Sequence, residues 1–112
     1  MLIYVCAPYD GSQESFLLTQ RAMGYVVKEG HTPISPYGML WDFVNSSNPA
    51  EVEQLIQAAL KMIEICDQIW VFGVEKEAPP NDYKFRFTKT MTREFIQSRA
   101  LKKQFRDCTE VL

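Results

Sequence analysis

Histidine is nearly absent from the 112-residue chain: His31 is the only one, which leaves no spare imidazole for a serine–histidine triad and no histidine-rich metal site. The three cysteines, Cys6, Cys66 and Cys108, are odd in number and widely spaced. They form no zinc pattern and suit small buried thiols in a reducing compartment. No apolar run approaches the roughly 20 residues of a membrane span. The first residues are a short β-like run, with no preceding basic stretch or small-residue cleavage signal, so a soluble, cytoplasmic protein with no membrane partner is expected. Internal repeats and linkers are also missing, and no motif asks for a cofactor; none is expected.

What is present is enough apolar sequence for one core. Hydrophobic residues make up 46% of the chain, sufficient for a single domain over residues 1–112 and insufficient for two. The net charge of −2 is unevenly spread. Between Tyr83 and Arg106, eight Lys or Arg face one acid, Glu94, for +7, and the remainder carries −9. That basic segment has three readings: attraction of an anion, pairing with the acidic remainder of the fold, or a solvated helix face.

Leu2 to Cys6 is a continuous β-rich run, as expected of a parallel strand covered on both faces. A loop follows over Ala7-Pro8-Tyr9-Asp10-Gly11. Ser12 then offers an N-cap for a helix to about Glu29, with Gly30 placed to stop it. His31 to Pro36, broken twice by proline, predicts a brief strand near a sheet edge. Asn48, Pro49 and Glu51 mark the start of a helix whose apolar positions, Val52, Leu55, Ile56, Ala59, Ile63 and Cys66, recur at helical spacing. Asp67 turns the chain into a second buried strand, Ile69 to Phe72. After Gly73, the stretch Val74 to Phe87 reads as a long polar loop at the carboxyl end of that strand. A last helix is expected from about Thr90 to Phe105, with Thr109 to Leu112 as a short final strand. Strands alternating with helices predict an α/β fold, a three-layer sandwich with a small, mainly parallel, Rossmann-like sheet flanked by helices.

One position in the last helix is anomalous. Met91, Phe95, Leu101 and Phe105 mark an apolar side, and Glu94 sits on that same side. A carboxylate there, near the positive end of the helix, has two readings: a nucleophile that needs no raised pKa, or a cap that pairs with Arg93 or a neighbouring base.

Four segments taken in order resemble the nucleoside 2-deoxyribosyltransferase-like proteins. They are the first strand ending in Ala7-Pro8-Tyr9, Gly30-His31-x-Pro33-Ile34-Ser35-Pro36, Cys66-Asp67-Gln68-Ile69-Trp70-Val71-Phe72-Gly73, and Thr88-x-Thr90-Met91-x-x-Glu94. The resemblance implies that Glu94 is the nucleophile that attacks C1′ of the sugar and expels the base, and that Tyr9 hydrogen-bonds it. It implies substrate contacts from Thr88, Lys89, Thr90 and Met91 at the helix start and from Asp10 and Gly11 in the first loop. The related nucleoside 5′-monophosphate N-hydrolases place a serine six residues before the glutamate, and the hydroxyl of Thr88 with the nearby Lys84, Arg86 and Lys89 suggests a 5′-phosphate in the same way. Two features depart from the family: Thr90 stands where it has glycine, and the Val74 to Phe87 loop is long and rich in aromatic and basic residues.

Three functions follow as expectations. The first is cleavage or transfer at the N-glycosidic bond of a nucleoside or nucleoside 5′-monophosphate, by a homo-oligomer whose neighbouring subunit completes the pocket. The second is a non-catalytic nucleotide-binding or sensing module on the same fold. The third, a nucleic-acid contact through Tyr83 to Arg106, is opposed by the acidic remainder. Bland roles stand beside the functional ones. Tyr9 reads equally as a loop-tip aromatic, and His31 as a partner of helix-terminal carbonyls. Trp41 and Phe43 read as base-stacking or packing groups, and Trp70 as core. Asp67 reads as a turn at the amino end of its strand, and Lys102, Lys103 and Arg106 as cations near a helix C-terminus.

Overall fold

A computed structural model describes residues 1–73, 75–76, 85–86, 88–109 and 111. The elements run β1 (Leu2–Cys6), α1 (Gln13–Lys28), β2 (Thr32–Ile34), α2 (Pro36–Leu40), a 3₁₀ turn (Trp41–Phe43), α3 (Pro49–Ile65), β3 (Gln68–Val71), β4 (Glu75–Lys76), β5 (Phe85–Arg86), α4 (Lys89–Ala100) and β6 (Gln104–Asp107). Four strands form one sheet in the order β2-β1-β3-β6, and every pairing is parallel. β4 and β5 pair separately as a short antiparallel ribbon. Pro79, Pro80, Asn81, Asp82, Tyr83, Lys84 and Phe87, which carry much of the expected long loop, lie outside the described residues.

Alternation along β1 and β3 divides the core into two layers. Tyr4, Cys6, Ile69 and Val71 face one side, where they pack with Tyr37 of α2, Leu55, Ala59 and Ile63 of α3, and Met91 of α4. Ile3, Val5, Trp70 and Phe72 face the other, against Ala22 and Val26 of α1 and against Cys108. Helices on both faces of a parallel sheet make the three-layer α/β sandwich. Each large aliphatic side chain buried this way contributes roughly 1.5–3 kcal/mol. All three cysteines are free and buried.

The helix starts follow their capping chemistry. Ser12 accepts from the Ser15 N–H, and Asn48 accepts from the Ala50 N–H while its amide donates to Glu51. The aromatic segment Pro36 to Phe43 is a short helix capped by Ser35 and followed by a 3₁₀ turn. Asp67 accepts from the Leu2 N–H at 2.7 Å, tying the amino ends of β1 and β3 together.

The C-terminal region departs from expectation. α4 ends at Ala100 and not at Phe105, and a strand forms at Gln104–Asp107; of the strand expected over Thr109 to Leu112, Glu110 and Leu112 lie outside the described residues. Lys102 takes a positive φ of 55°, the Lys102 N–H bonds to the Arg99 carbonyl, and the Lys103 N–H bonds to the Ser98 carbonyl. That is a Schellman turn, and it releases the chain in time to pair with β3. Two of the late cations are spent on the fold. Lys103 donates to the Glu64 carbonyl near the end of α3, and the Arg106 guanidinium lies 4.3 Å from the Trp70 ring centroid while bonding Tyr25 and Glu29.

Candidate active site

Glu94 faces inward from α4. Met91, Glu94 and Ser98 are the buried residues of that helix, a stripe at helical spacing laid on the sheet. Ser98 answers its own polarity by donating to the Phe95 carbonyl at 2.8 Å. Glu94 does not. Its side chain is 1% exposed, and neither carboxyl oxygen has a hydrogen-bond partner among the described residues. Burial pushes its pKa up to about 8, against a smaller downward pull from the Tyr4 hydroxyl and the Cys6 thiol. The acid is therefore mainly protonated at neutral pH, a correction to the expectation of an ionised carboxylate held by the helix dipole.

The groups around it come from two other elements. Tyr4 and Cys6, two residues apart on β1, point to the same side of the sheet, and both have their pKa raised by burial and then by the Glu94 charge. Tyr37, in the first turn of α2, is raised for the same two reasons. The hydroxyls of Tyr4 and Tyr37 are buried and, like the carboxyl, unpartnered among the described residues. Four polar atoms without partners in one apolar cluster are unusual, since most buried polar atoms are paired.

Tyr9 stands differently from what the resemblance implies. Its ring stacks on Tyr37 with centroids 6.1 Å apart and meets Trp41 edge-on at 5.3 Å. No hydrogen bond joins Tyr9 to Glu94, and the charges acting on its phenol are those of Asp42 and Asp10. The tyrosine beside the carboxyl is Tyr4. The signal for it was available: a tyrosine inside a strand buried on both faces needs a polar neighbour, and position 4 shares its face with position 6.

The remaining candidates fall into two groups. Asp10 and Gly11 are exposed in the loop after β1, where Asp10 Oδ1 accepts from the Ser12 N–H; the Ser12 hydroxyl first, and then that N–H, hold the Asp10 carboxyl below its usual range. Gly11 has φ +83°, and an added Cβ would stand 2.7 Å from Trp41, so glycine is required there. Thr88 caps α4, its hydroxyl oxygen accepting from the Met91 N–H at 3.1 Å. Lys89 is exposed, Thr90 is half-buried and Met91 is core.

Two open grooves adjoin Asp10 and Gly11, and neither is lined by Thr88, Lys89 or Glu94. One, of about 320 Å³, is lined by Tyr9, Gly11, Phe16, Trp41 and Asp42. The other, of about 390 Å³, lies where the loops after β1 and β3 meet, with Pro8 and Asp10 from the first and Gly73 from the second. The carboxyl end of a parallel sheet is the usual place for a ligand. No helix of the described residues is long and apolar enough to cross a membrane, and no group of three or more His, Cys, Asp or Glu among them could hold a metal ion.

A family model spans nearly all of this architecture. The chain belongs to the family described as Domain of unknown function (DUF7768), matched over residues 1–107. No match is found among curated proteins. Among solved structures, the fold of this family member is similar to that of a 2-deoxyribosyltransferase from the psychrotolerant bacterium Bacillus psychrosaccharolyticus. The TM-score is 0.67 and the identity 17%, over 98% of this chain and 74% of that one. At that identity the likeness concerns the fold.

Proposed function

We propose that this protein cleaves or exchanges the N-glycosidic bond of a nucleoside or nucleoside 5′-monophosphate, with Glu94 as nucleophile. The observation that carries the reading is a buried carboxyl, with both oxygens unpartnered, packed against the carboxyl half of β1. The similarity to a 2-deoxyribosyltransferase supports it at the level of fold. In this mechanism Glu94 first loses its proton. Its carboxylate oxygen then bonds to C1′ as the C1′–N bond breaks, and the base leaves with the electron pair and takes a proton from water. Attack of water on C1′ frees the sugar and regenerates Glu94, giving a hydrolase; attack by a second base gives a transferase. Tyr4 and Cys6 steady the carboxylate as it ionises. Thr88 and Lys89, at the exposed start of α4, hold the sugar or its 5′-phosphate, and Tyr9 with Trp41 offers the base a ring to stack on.

Incubation with nucleosides and 5′-monophosphates, with chromatography for free base, tests this reading. The wild type is expected to release base, and Glu94→Gln to lose at least about a thousandfold of the rate. Absence of release from every substrate, or full release by Glu94→Gln, would overturn it.

A second reading has its own support. Glu94 is covered and mainly protonated, and Thr90 puts a side chain where the resembling family has glycine, both of which suit a module that binds a nucleotide without turning it over. Binding of a nucleoside with no base release selects this alternative.

A further inference from the structure

Tyr37 is the member of the buried cluster that looks both ways. One face of its ring stacks on Tyr9, which with Trp41 lines the open groove of about 320 Å³. The residue itself is 7% exposed, and its hydroxyl has no partner among the described residues. The charge that acts most on that hydroxyl is Glu94, followed by Cys6, Arg93 and Glu53. Arg93 is itself paired with Glu53 at 2.9 Å, so neither is free to serve the phenol. Tyr37 of α2 and Tyr4 of β1 share one buried cluster with Met91, which lies one turn before Glu94 on the buried side of α4, and none of these phenols and carboxyl oxygens satisfies another. A ligand group that both donates and accepts would pair with several of them at once.

Resting on the proposed function, the chemistry says which group that is. Glu94 attacks C1′, and C2′ is bonded directly to C1′, so side chains packed beside the carboxyl meet a C2′ substituent before any more distant part of the sugar. In glycoside hydrolysis, hydrogen bonds at this hydroxyl strengthen in the transition state. A site with buried hydrogen-bonding groups also rejects a ligand that lacks their partner, because they are then left unpaired. We infer that Tyr37 is a specificity-determining residue whose hydroxyl bonds the sugar 2′-hydroxyl, so that the site takes ribonucleosides in preference to 2′-deoxyribonucleosides.

The test compares kcat/KM for base release from adenosine against 2′-deoxyadenosine and from uridine against 2′-deoxyuridine, in the wild type and in Tyr37→Phe, with thermal unfolding of both proteins. The wild type is expected to favour the ribose member of the pair it accepts by at least about tenfold. In Tyr37→Phe that ratio should fall to within about threefold of unity, through loss on the ribose side, with no drop in unfolding temperature because the deleted hydroxyl had no partner. A wild-type preference for deoxyribose would overturn the inference and leave the glycosidic reaction standing, as would an equal loss on both sugars or an unchanged ratio in the variant. Should Tyr37→Phe fail to fold, the wild-type ratio decides alone. If no nucleoside releases base, the proposed reaction falls and this inference falls with it.

Discussion

The Tyr4 hydroxyl lies beside the Glu94 carboxyl without a well-formed hydrogen bond, so it offsets only in part the burial that lifts the acid to a pKa of about 8, against an ordinary 4.5. The consequence for stability has a definite sign. Between those two values the unfolded chain has lost the Glu94 proton and the folded chain still holds it. The folded state binds more protons, so stability falls as pH rises through this window and levels off above it. The full span amounts to about 5 kcal/mol at most. Glu94→Gln keeps the shape and removes the ionisation. Denaturant unfolding at pH 5 and pH 8.5 should show the wild type losing stability relative to Glu94→Gln at the higher pH; parallel behaviour of the two proteins would refute the assignment.

The same proton sets a rate. Base release through an ionised Glu94 should climb with pH and level off above about pH 8. Tyr4 pulls that value down, so Tyr4→Phe should move the midpoint of the pH–rate profile upward. Tyr9→Phe should change KM and leave the midpoint in place, since Tyr9 contacts Tyr37 and Trp41 and makes no bond to the carboxyl. A midpoint shifted by Tyr9→Phe and unmoved by Tyr4→Phe would restore Tyr9 to the role that the family resemblance implies.

How far the sequence could be read is visible in two copies of one turn. α1 and α4 both end in Schellman turns: the Gly30 and His31 N–H groups bond to Val27 and Val26, and the Lys102 and Lys103 N–H groups bond to Arg99 and Ser98. Gly30 announces the first, because a left-handed residue is ordinarily glycine. Lys102 conceals the second, and the apolar spacing of Leu101 and Phe105 carries a helical reading straight through the turn into β6. The β1, α3 and β3 segments were legible because their burial pattern is local. Glu94 was legible as an anomaly on an apolar face. Its neighbours were not, since Tyr4 and Tyr37 lie 90 and 57 positions away and nothing in a single sequence records which strand face meets which helix.

Lys102 should accordingly be a point of relievable strain. A β-carbon in the left-handed region costs roughly 1–2 kcal/mol, partly offset in a glycine variant by the greater freedom of the unfolded chain. Lys102→Gly is expected to raise stability by up to about 1 kcal/mol, read as an increase in unfolding temperature. A decrease would mean that the Lys102 side chain makes a contribution larger than the strain.

Gly11 presents the opposite case, in which two separate obstacles stand at one position. Its φ of +83° disfavours any side chain, and a Cβ would meet the Trp41 ring at 2.7 Å, where the indole is already held by Tyr9. Gly11→Ala should destabilise the fold by about 1–3 kcal/mol, combining backbone strain with overpacking. The two parts separate in a double-mutant cycle. Adding Trp41→Ala removes the collision and leaves the strain, so Gly11→Ala should cost less in that background, with a favourable coupling of at least about 0.5 kcal/mol in denaturant unfolding. Strict additivity would show that the indole yields freely. In that event the ring is loosely seated, and the groove beside Tyr9 cannot hold a base by a preformed aromatic wall.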